Sequence, residues 1–172
     1  MLLWIDLETT GLSFTQDVPI EVGMILTEEK DLKEIARCSW LIRMPGYNYV
    51  PTVEFVKNMH IENGLLRELH KAGDFTASMH DERMVAWLRM VCPNVDEIEL
   101  HPAGSSVHFD VRFIEQWFPE LYSLLHHRHF DVSSIKMLSM IKGEEYDKGP
   151  VDPHRALGDL DNDIQWIKDN YK

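Results

Sequence analysis

Asp6 and Glu8 stand two residues apart, behind the apolar run Leu2 to Ile5 and ahead of Gly11. Strand side chains alternate faces, so a strand here points both carboxylates the same way. Two anions side by side on a buried strand repel each other and lose hydration. A divalent cation between them removes both costs. The ligands are hard oxygens with no Cys or His beside them, which favours Mg²⁺ or Mn²⁺. For an isolated D-x-E, a strand running out into two solvated acids is the simpler reading. The choice depends on what the rest of the chain supplies.

A third acid, Asp110, shares a helical stripe with Phe113, Ile114 and Trp117. An aspartate among apolar side chains needs a charged partner. Either an arginine meets it, with Arg112 and Arg155 available, or a metal does. His154 and Asp159 come last, five residues apart. An ideal helix would set them about 140° apart. They converge if His154 lies on the approach and Asp159 on the helix proper. Asp163 flanks the same apolar stripe, and spacing does not choose between it and Asp159.

These residues need a frame. The pattern predicts a meander of three strands: Leu2 to Ile5, Val18 to Thr27, and Lys33 to Ile42. In the second, Val18, Ile20, Val22, Met24 and Leu26 share one face. Residues 44–51 read as a loop, with two prolines and a glycine. A short helix is expected from Thr52, as its cap, to Asn58, broken by Met59 to Gly64. A second helix covers Leu65 to Lys71 and a stronger one Ser78 to Val91, stopped by Pro93. Val95 to His101 reads as a strand and Pro102 to Ser106 as a small-residue loop. Val107 to Trp117 reads as a helix and Arg128 to Phe130 as a strand. Asp131 caps a further helix. Residues 142–151 read as a mobile loop, and Asp152-Pro153 as the start of the last helix, with Pro in the first turn. Its core stripe is Leu157, Leu160, Ile164 and Ile167.

The length, 172 residues, suits one domain, 1–172. The chain is 44% apolar and 27% charged, ordinary for a globular protein. No apolar run approaches the ~20 residues needed to span a bilayer. The N-terminus enters a strand at once, so no targeting segment and a cytoplasmic location are expected. Cys38 and Cys92 read as reduced thiols. The net charge of −12 excludes a protein that grips long nucleic acid through basic patches. A few nucleotides held through a metal-filled site remain compatible with it.

Several stretches occur together in order: Asp6-Leu-Glu-Thr-Thr-Gly-Leu12, His60-x-x-x-Gly-Leu65, Gly104-x-Ser-x-x-x-Asp-x-Arg-Phe113, His127-Arg-x-x-Asp-Val-Ser133 and His154-Arg-Ala-Leu-Gly-Asp159. In these the chain resembles the DEDDh 3′–5′ exonucleases, and among them the oligoribonuclease branch, over nearly its whole length. The resemblance implies an RNase H-like α/β fold, a central mixed five-stranded sheet flanked by helices. It implies two divalent ions, Mg²⁺ or Mn²⁺, on Asp6, Glu8, Asp110 and Asp159, with His154 as general base. Leu12 matches a leucine that wedges between the terminal bases. His60 and Arg128 match residues that cap the far phosphate of a very short substrate, and Ser106 falls on the serine of the Gly-x-Ser loop. Phe55 stands where oligoribonucleases carry a stacking Trp. His127 stands where they carry a Tyr that reaches the site from the partner subunit of a homodimer. Both departures keep a ring and point to a divergent member with a broader substrate. The implied activity is release of 5′-mononucleotides from the 3′ end of short single-stranded RNA, with no membrane partner. The rivals are the same chemistry on single-stranded DNA and a catalytically silent nucleic-acid-binding domain of this fold.

Overall fold

The computed structural model describes residues 1–51, 53–143 and 154–171. The expected cap Thr52, most of the expected loop over 142–151, and the expected helix start Asp152-Pro153 lie outside the described residues.

Three strands open the chain: β1 (Leu2–Thr9), β2 (Pro19–Thr27) and β3 (Glu34–Leu41). They pair antiparallel, as a meander must when its connections are short. Two more strands, β4 (His101–Gly104) and β5 (Phe130–Asp131), add in parallel on the other side of β1. The sheet is therefore mixed and five-stranded, in the order β3-β2-β1-β4-β5.

Seven α-helices flank it among the described residues: α1 (Glu54–Glu62), α2 (Leu65–Leu69), α3 (Ala77–Val91), α4 (His108–Trp117), α5 (Pro119–Leu124), α6 (Val132–Ile141) and α7 (Ala156–Asn170). The sheet has two buried faces. On one, Leu3, Ile5 and Leu7 of β1 and the Val18 to Leu26 stripe pack with Met84, Leu88, Phe113 and Leu121 from α3, α4 and α5. On the other, Leu2, Trp4 and Ile25 pack with Leu160, Ile164 and Ile167 of α7 and Val132 of α6. Asp6 and Glu8 continue the even-numbered series of Leu2 and Trp4. They therefore point to the face that α7 covers.

Three expectations are corrected, and one helix is added. The first helix does not break at Met59; it runs through His60 and stops at Asn63–Gly64, where Gly64 takes φ 78°. A left-handed turn suits glycine and ends a helix. The expected strand Val95–His101 is instead a 3₁₀ turn at Val95–Glu97, with the strand displaced to His101–Gly104. Pro102 sits within it because the neighbouring His101, not Pro102, donates to the Met1 carbonyl, so the missing N–H falls on the other side. The last helix begins at Ala156, with Arg155 at its cap position. A helix absent from the pattern reading, α5, starts at Pro119. Its first free N–H groups, from Glu120 and Leu121, donate to the buried Asp81 carboxylate, both at 2.8 Å.

Candidate active site

The even-numbered side chains of β1 reach a site only if β2 and α7 leave room. Asp6 pairs in register with Gly23 of β2, and Glu8 with Glu21. A Cβ on Gly23 would lie 2.8 Å from the Ala156 Cβ. Glycine there lets the first turn of α7 settle directly onto the sheet, which brings Asp159 over β1. One oxygen from each of Asp6, Glu8 and Asp159 lies within 4.8 Å of the others. The β1–β2 register shifts between Glu8 and Thr9, a bulge that ends regular pairing where the strand meets the site.

Asp110 approaches from α4 and is buried. Its Oδ1 accepts the Leu7 N–H at 2.9 Å, which fixes it against β1 between the two acids. Neither candidate arginine meets it. Arg112 lies over the Phe14 ring at 4.0 Å, and Arg155 pairs with Glu21 and Glu68. Asp6, Glu8, Asp110, Asp159 and His154 line one cavity of about 240 Å³, together with Leu7, Ser105, Ser106 and Phe109. Asp163 is not in the cluster. Its Oδ1 is held at 2.8 Å by both the Ser105 hydroxyl and the Lys136 ammonium.

The electrostatics follow from this crowding. Burial, then the charges of Asp110, Glu8 and Asp159, push the Asp6 carboxyl well above its ordinary range. Burial, then Asp159 and Glu21, push Glu8 up to about 8. Burial also raises Asp110, against the opposing effect of the Leu7 hydrogen bond. Such a set is costly when ionised and fits a hard divalent cation, all of its donors being carboxylate oxygens.

The remaining expected residues divide. Ser106 lines the cavity in a left-handed conformation, φ 54°, which costs a non-glycine residue about 1–2 kcal/mol. Its N–H donates to Asp131 at 3.2 Å and its hydroxyl lies 3.1 Å from that of Ser133. Leu12 and Phe55 are 75% and 73% exposed, two large apolar side chains left in water. His60 is not on the cavity surface. Its ring is fully buried, Nε2 donates to the Thr9 carbonyl at 3.0 Å and lies 3.8 Å from Glu8, and Nδ1 has no hydrogen-bond partner among the described residues. His127 and Arg128 do not line the cavity either. His101 donates through Nδ1 to the Arg128 carbonyl, and His126 Nδ1 accepts the Arg128 N–H. His101 pairs with Leu2, four residues before Asp6, so this segment sits ~13 Å along the sheet from the acids. Ser105, Lys136 and Phe109 escaped the sequence reading, because nothing in their local pattern separates them from ordinary loop and helix residues, and Ser133, though it ends a matched stretch, was given no role.

Comparison with known proteins agrees with the family and the fold. The exonuclease family model of the RNase T type matches residues 3–166. The oligoribonuclease of Chromobacterium violaceum is 32% identical over 170 residues, covering 97% of this chain and 91% of that protein. The mitochondrial oligoribonuclease of Homo sapiens is 31% identical over 172 residues, 97% of this chain and 70% of that one. Among solved structures, exonuclease I from Methylocaldum szegediense superposes with TM-score 0.70 at 15% identity. Escherichia coli exonuclease I in complex with a dT13 oligonucleotide gives 0.67 at 15% identity. This chain spans about 40% of each of those two proteins, and the likeness is one of fold.

Proposed function

The chain belongs to the exonuclease family, in its oligoribonuclease branch, and from that membership we propose that it releases 5′-mononucleotides from the 3′ end of short oligoribonucleotides with the help of two divalent metal ions. The observation that carries this reading is the convergence of Asp6, Glu8, Asp110, Asp159 and His154 on one cavity. Five functional side chains from β1, α4, α7 and the approach to α7 meet there, and neither Arg112 nor Arg155 neutralises Asp110. A structural or purely binding role leaves that charge unexplained.

Asp6, Glu8, Asp110 and Asp159 would hold the ions. Bound there, Mg²⁺ or Mn²⁺ supplies positive charge for the scissile phosphate and for the attacking water. The chain's own groups do the rest. His154, exposed at the cavity rim, takes the proton from the water, since an imidazole accepts protons near neutral pH. Leu12 and Phe55 hold the terminal bases by stacking and wedging; their exposure supports a role in contact with substrate. Ser106 contacts the phosphate from its strained turn. His60, buried under the end of β1, supports the turn that carries Leu12 through its bond to Thr9.

His127 and Arg128 lie away from this chain's own acids and serve the partner subunit's cavity in a homodimer. α6 supports that assembly: Met137, Leu138, Met140 and Ile141 are all exposed, Ile141 at 80%, an apolar face of the kind that subunits cover. Sedimentation gives the oligomeric state. A monomer fully active on dinucleotides overturns the dimer.

The activity is tested with 5′-labelled RNAs from dinucleotide length upward, beside matched DNAs, in Mg²⁺ or Mn²⁺. Stepwise loss of 3′ nucleotides, fastest on the shortest RNA and abolished by chelator, is expected. Full activity in excess chelator, or equal rates on DNA, sinks the reading of a metal-dependent oligoribonuclease.

A further inference from the structure

We propose that Glu21 and Arg155 are positioning residues that hold His154 over the cavity. The proposal rests on the reading of His154 as proton acceptor. His154 precedes α7, so no helical hydrogen bonds fix it, and its side chain is exposed. What fixes it is a run of ties on three consecutive residues. The His154 carbonyl accepts from Asn63 Nδ2, at the end of α1, at 2.6 Å. The Arg155 guanidinium grips Glu21 through two nitrogens, Nε to Oε2 at 2.9 Å and Nη2 to Oε1 at 2.7 Å. Nη2 also lies 3.0 Å from Glu68 Oε2 on α2. The Ala156 N–H then donates to Glu21 Oε2 at 3.3 Å.

The position of Glu21 is the unusual part. It faces the same side of the sheet as Glu8, directly opposite it in register, and it is buried. A further carboxylate beside an acid-lined cavity is a cost unless it is paired and hydrogen-bonded. A local Ser or Asp at the cap position would satisfy a helix start without burying any charge. Here the cap position is Arg155, and the capping oxygen comes from β2 instead. A cap supplied by the sheet fixes where the helix start sits relative to β1, which a local cap cannot do. The fork of Arg155 makes that tie directional, because two parallel N–H···O bonds set an angle as well as a distance.

The body of α7 does not need this latch. Leu160, Ile164 and Ile167 seat it on Trp4 and Ile25, and Asp159 travels with it. Loosening the latch therefore frees His154 first, while Asp159, whose N–H donates to the Arg155 carbonyl at 3.1 Å, is still held beside the seated Leu160 so long as the first turn stays on the sheet. That gives a signature in kcat without a matching change in metal affinity or KM.

The test measures kcat and KM on a dinucleotide, Mn²⁺ affinity by titration, and thermal midpoint. Arg155→Met and Glu21→Gln are each expected to lower kcat on the order of 10–100-fold, the scale of a catalytic group displaced by about 1 Å. KM and Mn²⁺ affinity should stay within a few-fold of the parent. Arg155→Lys keeps the charge and one contact and should recover part of the loss. The decisive comparison is the cycle with His154→Ala. If Arg155 acts through His154, adding Arg155→Met to His154→Ala lowers kcat no further. A loss that multiplies in the double variant overturns the proposal, as does parent-level kcat in Arg155→Met. Should Arg155→Met not fold, Glu68→Gln, which removes only the exposed arm, takes its place with a few-fold loss and the same cycle. Parent-level turnover in His154→Ala alone overturns the reading of His154, and the proposal with it.

Discussion

At the scale of single residues, the acids are set apart by what meets them. Asp6 and Glu8 were legible because a strand has period two and any strand through them makes a pair. Asp110 was half legible: an acid on an apolar stripe demands a partner, but only three dimensions show Arg112 on Phe14 and Arg155 on Glu21. Helical spacing alone does not separate Asp159 from Asp163, since both flank one stripe, and only the resemblance in His154-Arg-Ala-Leu-Gly-Asp159 favours Asp159. The structure separates them by charge. Asp159 joins Asp6 and Glu8, while Asp163 is neutralised by Lys136. The two asparagine variants should therefore fail in different ways. Asp159→Asn removes a carboxylate from the cluster, so most turnover should go with little change in thermal midpoint. Asp163→Asn takes the charge off a buried carboxylate that Ser105 and Lys136 both hold, so its thermal midpoint should fall. Turnover per folded molecule should stay within a few-fold. Activity assays beside thermal melts decide this, and the reverse ranking would make Asp163 the metal-site residue.

At the scale of elements, legibility followed locality. The meander read correctly because antiparallel neighbours in sequence pair with each other, and each strand carries its own alternation. The strand β4 was misplaced because its partner, β1, lies about a hundred residues away, and a parallel strand inside the sheet, between β1 and β5, need not alternate. The start of α7 was misplaced for the same reason: its capping oxygen belongs to Glu21 on β2. The signal for that side of β2 was present. Val18, Ile20, Val22, Met24 and Leu26 occupy one face, so Glu21, Gly23 and Ile25 must form the other. Gly23 then yields a prediction about α7 as a body. In Gly23→Ala the new Cβ would meet Ala156 at 2.8 Å, with backbone of the same turn at 3.0 Å. Backbone cannot rotate aside as a side chain can, so the first turn must lift from the sheet. Asp159 lifts with it, and Mn²⁺ affinity should fall together with kcat. The latch variants predict loss of kcat alone. Parent-like Mn²⁺ binding in Gly23→Ala would show that α7 seats itself without this close approach.

At the scale of the whole molecule, the net charge is −12, and four of the carboxylates, Asp6, Glu8, Asp110 and Asp159, share one cavity. The sign of the pH effect follows from Glu8. Its carboxyl is ordinarily half-ionised at 4.5 and is held up at about 8 in the folded, metal-free protein. Between those values the folded state keeps a proton that the unfolded chain has released. Stability from this group is therefore complete below pH 4.5 and is lost as pH rises through about 8. Asp6 and Asp110 are shifted the same way and act in the same direction. Divalent cations compete with these protons for the same oxygens, so their binding should stabilise most where the carboxylates are already ionised. In chelator, the thermal midpoint should fall as pH is raised from near 5 to near 8. Excess Mg²⁺ or Mn²⁺ should reverse the fall, with the gap between the two curves widening at higher pH. Other groups titrate over this range, so Glu8→Gln is the control: without the ionisable carboxyl, its midpoint in chelator should decline less steeply. A chelated parent with the same pH slope as Glu8→Gln would mean that Glu8 carries no such linkage. The crowding of acids would then not be what the metal ions relieve.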